Sequence, residues 1–198
     1  MKILAFSDIH LSAPHAAALV TAAADGADLV IGAGDFGGLR CDLDRAMDML
    51  SGITAPIVAV PGNVESVEEL RAAALPNMTV LHGEAMEHAG LRLFGLGYAV
   101  PPPPFGDWSC NLDEDGAAAM LARCDGADIL ITHSPPHGIG DRLGNGVSVG
   151  SQSILDAITR LQPRLALFGH IHEGWGDAGQ IGNTWAQNLG PTPNWFEV

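Results

Sequence analysis

Short runs of consecutive apolar residues alternate with amphipathic or alanine-rich segments along most of the chain. The apolar runs predict buried β-strands at 2–6, 27–35, 56–63, 127–136 and 164–172. The segments around them predict helices at 13–24, 42–52, 67–75, 112–124 and 149–163. Because continuous apolar strands that alternate with helices are typical of a parallel sheet covered by helices, the pattern predicts an α/β fold.

The central part of the chain has a different pattern. Residues 79–97 predict two or three short strands separated by glycine turns, and the C-terminal residues predict short closing strands. Residues 98–108 contain four consecutive prolines and are expected to form a loop, because proline lacks the N–H that a central strand needs. The segments 25–35 and 125–135 begin alike and share a strand pattern, which suggests two related halves that face each other.

The composition narrows the class of protein. With 198 residues, 47% of them hydrophobic and 16% charged, the chain is expected to form one packed domain over 1–198. A formal charge of -14 argues against binding to polymeric nucleic acid or to an anionic membrane, and no apolar run reaches the length of a membrane span. Three cysteines without a CxxC spacing indicate buried, reduced thiols in a cytoplasmic protein. The oligomeric state is left open, with a homodimer among the options.

Polar side chains mark the ends of five predicted strands. They are Asp8, His10, Asp35, Asn63, His133, His170 and His172. Any one of them alone is most simply a turn former or a cap, whereas the whole set indicates a ligand site, because ligands of α/β sheets gather at the carboxyl ends of strands. Residues two apart in an extended segment point to the same side, so Asp8 and His10 are expected to reach one target together. The same spacing joins His170 and His172.

The types of these side chains indicate a metal site. Carboxylate, amide and imidazole ligands without a thiolate suit Mn, Fe, Zn or Ni better than they suit a structural zinc site. Seven ligands are too many for one metal ion and fit two, and a carboxylate can bridge two ions about 3.5–4 Å apart. The remaining candidates His15, His82 and His88 lie outside the strand-end pattern and are interpreted as surface or packing residues.

The motifs that contain these residues resemble those of a known family. The stretches "DIH" (8–10), "GD" (34–35), "GN" (62–63), "TH" (132–133) and "GHIH" (169–172) match, in order and spacing, the motifs of the calcineurin-like metallophosphoesterases. The stretches "THSPPHG" and "GHIHEGWG" are most similar to the small branch called metallophosphoesterase domain-containing proteins. The resemblance implies a four-layer α/β/β/α sandwich of two mixed sheets with flanking helices.

The resemblance also implies a division of the ligands between two divalent metal ions. Asp8, His10 and His172 would bind one ion, Asn63, His133 and His170 the other, and Asp35 would bridge them. Manganese is the metal that the resemblance favours, with Fe, Zn, Ni or Co as alternatives. A hydroxide between the two ions would attack the phosphorus of a small phosphoester, and the metals would hold the phosphate oxygens. Asp35 and Asn63 are therefore the side chains on which catalysis is expected to depend most.

One position departs from the family motif. The family reads Gly-Asn-His followed by an acid, whereas this chain reads Gly62-Asn63-Val64-Glu65. Val64 cannot protonate a leaving group, and the loss of a general acid costs about 10²–10⁴-fold in rate. His15, His137 or a water are the alternatives for the missing donor. The departure favours a phosphodiesterase for small substrates, cyclic or nucleotide phosphodiesters among them, because their leaving groups depend less on a proton donor. The alternatives are a catalytically weak binding or scaffold protein and a phosphomonoesterase.

Four aromatic residues lie next to the strands that bear these motifs. They are Tyr98, Phe105, Trp108 and Trp175. They could stack on a nucleobase or an aryl group of the substrate, or they could close the core beneath the proline-rich loop. The sequence favours neither interpretation.

Overall fold

The computed structural model describes residues 1–198, which form eleven strands and five α-helices. The strands are β1 (Lys2–Phe6), β2 (Leu29–Gly32), β3 (Ile57–Ala59), β4 (Met78–Val80), β5 (Glu84–His88), β6 (Leu91–Leu96), β7 (Ile129–Thr132), β8 (Leu165–Phe168), β9 (Ala178–Ile181), β10 (Thr184–Asn188) and β11 (Asn194–Glu197). The helices are α1 (Ala13–Ala24), α2 (Leu43–Leu50), α3 (Val67–Ala73), α4 (Glu114–Leu121) and α5 (Gln152–Leu161). The three strands β4 to β6, which lie at 78–96, and the closing strands at the C-terminus confirm the prediction.

The strands form two mixed sheets. The first sheet has the order β11-β1-β2-β3-β4, in which β1 to β4 run parallel and β11 pairs antiparallel with β1. The second sheet has the order β5-β6-β7-β8-β10-β9, with parallel central strands and antiparallel partners at both edges. The predicted parallel sheet is thus two sheets, each with a parallel centre.

Three hydrophobic clusters separate the layers. Along β1, Ile3 and Ala5 point into a cluster between the two sheets, while Leu4 and Phe6 point into a second cluster beneath α1, α2 and α3. This alternation follows from the two-residue period of a strand whose two faces are both covered. A third cluster lies between the second sheet and the helices α4 and α5. The layer order is therefore α/β/β/α, as the resemblance implied.

The two similar segments of the sequence take equivalent places in this sandwich. Leu29 and Ile31 of β2, and Ile129 and Ile131 of β7, all contribute to the cluster between the sheets. The strands thus belong to different sheets and meet the same central layer, which is the arrangement expected of two halves that face each other. A common origin of the halves stays a prediction.

The observed strands are shorter than the sequence predicted. Strand β3 ends at Ala59 rather than at 63, β7 ends at Thr132 rather than at 136, and β8 ends at Phe168 rather than at 172. Chain turns that a strand cannot accommodate explain the difference. Pro61-Gly62 follows β3, and His170 has a left-handed backbone with φ of 71° after β8. The polar residues after these strands therefore lie in loops and not on strand ends.

The cysteines and the absence of membrane spans were two further expectations from the sequence. All three cysteines are free, but only Cys124 is buried; Cys41 is exposed and Cys110 is partly buried, which corrects the expectation of three buried thiols. Cys41 lies outside the core because it belongs to the loop between β2 and α2. None of the helices is both long and apolar enough to cross a membrane. The interpretation of 1–198 as a single domain stays a prediction.

Candidate metal centre

Loops after five strands bring all seven strand-end residues to one side of the sandwich. Asp8 and His10 follow β1, Asp35 follows β2, Asn63 follows β3, His133 follows β7, and His170 and His172 follow β8. The proposed reason for the pairing of Asp8 with His10 was wrong, because the backbone here is left-handed, with φ of 55° and 41°, and not extended. The two side chains still meet, because the loop is curved. Hydrogen bonds from the N–H groups of Asp8 and His10 to the carbonyls of Gly34 and Asp35 fix this curve.

Glycines allow the loops after β2 and β3 to approach each other closely. A Cβ at Gly34 would lie 2.6 Å from Cα of Gly62, and a Cβ at Gly62 would overlap the Asp35 carboxylate. Gly34 also has φ of 91°, which residues with a side chain rarely adopt. The "GD" and "GN" motifs therefore act together: Gly62 makes room for Asp35, and Gly34 makes room for the backbone of Gly62 and the ring of His133.

A first group of candidate ligand atoms comes from residues in the loops after β1 and β8. The atoms of Asp8, His10 and His172 lie within 4.8 Å of one another. Nε2 of His10 is 3.2 Å from Nε2 of His172, and Oδ1 of Asp8 is 3.9 Å from Nε2 of His172. His170 does not belong to this group, so the expectation that His170 and His172 share one target was wrong. The spacing argument fails because the backbone is not extended here: His170 is left-handed, and a 3-10 helix begins at His172.

A second group combines the loops after β2, β3, β7 and β8. Ligand atoms of Asp35, His133 and His170 lie within 4.8 Å of one another. Nε2 of His133 is 3.2 Å from the amide Oδ1 of Asn63 and 3.4 Å from Oδ1 of Asp35. The structure thus contains two candidate groups, with Asn63 beside the second. The assignment of these residues as ligands of two metal ions stays a prediction.

Asp35 lies between the two groups. Its Oδ2 is 3.5 Å from Nε2 of His10 in the first group, and its Oδ1 faces His133 in the second. The backbone N–H of Val64 donates to Oδ1 at 3.1 Å. Because each carboxylate oxygen faces a different group, Asp35 has the orientation that a bridging ligand requires.

The hydrogen-bonding state of His133 tests whether a cation fits the second group. Nδ1 of His133 is 2.8 Å from the carbonyl oxygen of Ala33. A carbonyl only accepts, so Nδ1 has the hydrogen and Nε2 presents a lone pair. That lone pair and the oxygens of Asn63 and Asp35 converge with no hydrogen between them. Three electron-pair donors around one point fit a cation, and the carbonyl partner is typical of the support behind a metal-binding histidine.

Burial shifts the pKa values of these groups strongly. Burial, reinforced by the negative charge of Asp35, raises the pKa of the Asp8 carboxyl to about 7. Burial likewise raises the pKa of the Asp35 carboxyl to about 7 and lowers the pKa of the His133 imidazole to about 3. Burial and then the neighbouring His133 lower the pKa of His170 well below its ordinary value. The imidazoles are therefore neutral and can donate electron pairs to a metal ion. The buried carboxyls ionise readily only when a cation is near, so the site favours metal binding.

A cleft of about 480 Å³ opens onto both groups. Its walls include His10, Asp35, Asn63, His170, His172 and Val64. No lysine or arginine lines it. Val64 is 3% exposed, and neither His15 nor His137 is among the lining residues. His137 instead faces Asp141 and Ser148, with its Nδ1 3.7 Å from Oδ2 of Asp141. Neither histidine is therefore placed to replace the missing donor.

Two of the four aromatic residues line the same cleft. Phe105 and Trp108 stack with ring centres 5.7 Å apart, and the rings of Phe105 and His170 are arranged edge to face with centres 6.4 Å apart. Trp175 packs against the ring of His172 outside the cleft, and the Tyr98 hydroxyl accepts a hydrogen bond from the N–H of Val67. The position of Phe105 and Trp108 favours the substrate-stacking interpretation, whereas Tyr98 has the packing role.

Sequence comparison agrees with this geometry. A family model described as the calcineurin-like phosphoesterase superfamily domain matches residues 1–196. The chain belongs to the calcineurin-like phosphoesterase superfamily. The superfamily is metal-dependent, and membership supports a hydrolase of phosphoesters.

Curated relatives of this superfamily member match part of the chain. Metallophosphoesterase domain-containing protein 1 of Homo sapiens is 37% identical over 122 residues, which is 59% of this chain and 35% of that protein. A UPF0046 protein of Caenorhabditis elegans is 33% identical over 107 residues, which is 52% of this chain and 26% of that protein. The matches thus span about a third or less of the relatives' length.

Solved structures of other proteins share the fold of this calcineurin-like phosphoesterase. The protein TT1561 of Thermus thermophilus superposes with a TM-score of 0.77 at 19% identity, covering 98% of this chain and 97% of the other. A dimetal phosphatase of Danio rerio superposes with a TM-score of 0.64 at 14% identity, covering 96% and 86%. These likenesses show the fold.

Sequence reasoning missed two residues that support the centre. The Ser7 hydroxyl donates to the Asp8 carboxylate, and the His170 N–H donates to both oxygens of Asp8 at 3.1 Å. The Asn188 amide donates to the carbonyls of Gly169 and Ile171, which flank His170. Ser7 precedes a ligand and was detectable by proximity, but Asn188 is distant in sequence and had no such signal.

Proposed function

We propose that this protein is a two-metal phosphodiesterase that hydrolyses small phosphodiesters, with cyclic nucleotides and aryl diesters as the fitting classes. The two divalent ions would be held by Asp8, His10 and His172 and by Asn63, His133 and His170, with Asp35 between them. Manganese is the proposed native metal, and Fe, Zn, Ni or Co are the alternatives. When bound, the ions supply the positive charge that holds phosphate oxygens and that makes water a nucleophile.

The observation that favours a diesterase is the apolar side chain of Val64 in the wall of the cleft. The Val64 side chain cannot protonate a leaving oxygen. Diesters with aryl or strained cyclic leaving groups depend least on such a proton. A monoester also brings one more negative charge than a diester, and the cleft has no lysine or arginine to bind it.

The residues of the chain have separate tasks in this proposal. Asp35 and Asn63 hold the centre together, because the first faces both groups and the second faces His133. His133 stays neutral because its pKa is about 3, so its Nε2 remains an electron-pair donor throughout the physiological range. The Phe105–Trp108 pair offers an aromatic wall for a planar substituent of the substrate.

The proposed partners follow from charge. A formal charge of -14 disfavours binding to polymeric nucleic acid and to anionic membranes, so a small phosphoester is the proposed partner. The proposed compartment is the cytoplasm. The Danio rerio neighbour is named a dimetal phosphatase, which supports the proposed two-metal chemistry. The narrower choice of a diesterase rests on Val64.

An assay of a matched pair of substrates tests the proposal. The metal-free protein is loaded with Mn²⁺, and in parallel with Fe²⁺, Zn²⁺, Ni²⁺ or Co²⁺, and offered a bis-aryl phosphodiester and the aryl monoester with the same leaving group. We expect the diester to have the larger kcat/KM, and a 2′,3′- or 3′,5′-cyclic nucleotide to be hydrolysed as well. A mock preparation from cells without the protein serves as the control for contaminating activity.

Each contrary result has a defined meaning. Faster hydrolysis of the monoester would replace the diesterase with a phosphomonoesterase. Failure to hydrolyse either substrate with any of the metals would leave a binding or scaffold protein. Elemental analysis supplies an independent check, because a loaded protein should contain two ions per chain, and well under one would contradict the two-metal centre.

A further inference from the structure

A buried carboxylate next to Val64 has no charged partner. Glu65 is 1% exposed, and no lysine or arginine bonds to it. Burying a carboxylate is costly unless hydrogen bonds compensate it. All of its hydrogen-bond donors are backbone N–H groups, and they come from the two loops that contain Asp35 and Asn63.

The donors come from four residues. Oε1 of Glu65 accepts from the N–H of Gly62 at 2.7 Å and from the N–H of Asp35 at 2.8 Å. Oε2 accepts from the N–H of Phe36 at 3.2 Å and from the N–H of Gly37 at 3.3 Å. One carboxylate thus binds three consecutive N–H groups of the loop after β2 and closes a turn within its own loop. Both carboxylate oxygens are needed for this arrangement.

The loop after β2 needs such support. Asp35 has a left-handed backbone with φ of 59°, which is uncommon for a residue with a side chain. Three adjacent N–H groups that point to one side have no strand or helix partner in this turn. Without an acceptor they would be left unpaired in the interior, and such unpaired groups cost free energy.

We propose that Glu65 is a positioning residue: its carboxylate joins the loops of Asp35 and Asn63 and holds Asp35 between the two metal groups. This role rests on the proposed two-metal centre, but not on its preference for diesters. Because Glu65 faces backbone N–H groups and not the cleft, it acts through Asp35 and contacts neither substrate nor metal.

Two substitutions separate geometry from charge. Glu65→Gln keeps the length of the side chain but loses the charge and one acceptor oxygen. Glu65→Asp keeps the charge but is shorter by one methylene group, so that one carboxylate can no longer reach all four N–H groups. The positioning role requires both the length of the side chain and its two charged acceptor oxygens. We therefore expect each variant to bind Mn²⁺ about 10–100-fold more weakly than the wild type, which is the effect typical of residues that orient metal ligands.

A matched control is available at a glutamate that does not line the cleft. Glu114 also accepts backbone N–H bonds, from Gln152 at 3.0 Å and from Ser153 at 2.8 Å at the start of α5. Glu114→Gln weakens the same kind of interaction between a carboxylate and backbone N–H groups, at a position outside the cleft. It is expected to lower Tm while leaving the affinity for Mn²⁺ unchanged.

The experiment measures Mn²⁺ binding by calorimetry and amide hydrogen exchange of the metal-free full chain. Weaker binding in both Glu65 variants, with exchange at 35–37 faster by about tenfold or more, supports the role. Wild-type affinity and exchange in a folded Glu65→Gln would overturn it, as would wild-type affinity in Glu65→Asp, which would mean that charge alone matters. If Glu65→Gln fails to fold, Glu65→Asp decides. Two bound ions without diester turnover in the wild type would contradict the proposed function and leave this role intact.

Discussion

At the scale of single residues, the proposed preference for diesters depends on the position after Asn63. Val64 lines the cleft with an apolar side chain, yet its backbone N–H donates to Asp35. The side chain can therefore change without removing the support that the backbone gives to the centre. This separation makes Val64 a direct probe of the missing proton donor.

Replacing Val64 by histidine should restore a proton donor at the cleft. We expect Val64→His to raise kcat/KM for an alkyl phosphomonoester relative to the aryl diester, by a factor within the range of about 10²–10⁴ that general acids contribute. Steady-state kinetics with both substrates measure the ratio. Val64→Asn is the control, since an amide is polar but does not donate a proton at neutral pH. An unchanged ratio in Val64→His would count against our account of this position.

The bridging and amide ligands should be indispensable in the same assay. Asp35→Ala removes the only side chain that faces both groups, and Asn63→Ala removes the oxygen next to His133. We expect either variant to lose diesterase activity at ordinary Mn²⁺ concentrations and to retain fewer than two ions per chain by elemental analysis. His88→Ala, at the end of β5, serves as the control and should keep both ions. Full activity in Asp35→Ala would exclude its bridging role.

At the scale of elements, short strands followed by strained loops create the site. The apolar runs correctly predicted the central strands, and helix α1 has the predicted bounds of 13–24. The predicted strand ends were too long because hydrophobic periodicity continues into the first loop residues. The curvature of those loops depends on contacts with other loops, such as the hydrogen bonds between residues 8–11 and 34–36, which no local pattern encodes.

The glycine after β3 provides a test of this close loop packing. A Cβ at Gly62 would overlap the carboxylate and N–H of Asp35, so Gly62→Ala should displace Asp35. We expect a loss of about 1–3 kcal/mol in the free energy of unfolding together with weaker Mn²⁺ binding. Denaturant unfolding and calorimetry measure the two effects.

A second glycine offers a matched control for that test. A Cβ at Gly126 would have only the end of the Arg92 side chain near it, at 3.9 Å, and Gly126 does not have a positive φ. Gly126→Ala should therefore leave Mn²⁺ binding unchanged and keep or slightly raise stability. Equal Mn²⁺ affinities in the two variants would show that the contact between the loops does not position Asp35.

At the scale of the whole molecule, burial couples metal binding to pH. In the metal-free protein, burial raises the pKa of Asp8, Asp35 and Glu65 to about 7, above the ordinary values of 3.8 for Asp and 4.5 for Glu. Their contribution to stability is therefore fully present below about pH 4 and is lost as the pH rises through 7. Bound cations favour the ionised carboxylates and reverse this loss.

The gain in Tm on adding Mn²⁺ should consequently grow with pH. We expect a larger gain at pH 8 than at pH 6, because at the lower pH the metal must displace protons from the carboxyls. Differential scanning calorimetry of the same preparation at both values measures it. Asp35→Ala should show a small gain at either pH, and an equal gain at both values in the wild type would contradict the raised pKa values.

The sequence by itself determined the α/β class, the order of the elements and the identity of the seven polar residues, because these follow from local hydrophobic periodicity and from motif spacing. The family resemblance implied how those residues divide, and the tertiary structure shows the distances behind it: Asp8, His10 and His172 lie together, apart from Asp35, His133 and His170. After β8 the chain does not stay extended: His170 has a left-handed backbone, and a 3-10 helix begins at His172. The tertiary structure alone shows that Val64 lines the cleft and that His15 and His137 do not. It alone also shows the four backbone donors of Glu65. Each depends on distances between loops that are distant in sequence, and periodicity contains no information about such distances.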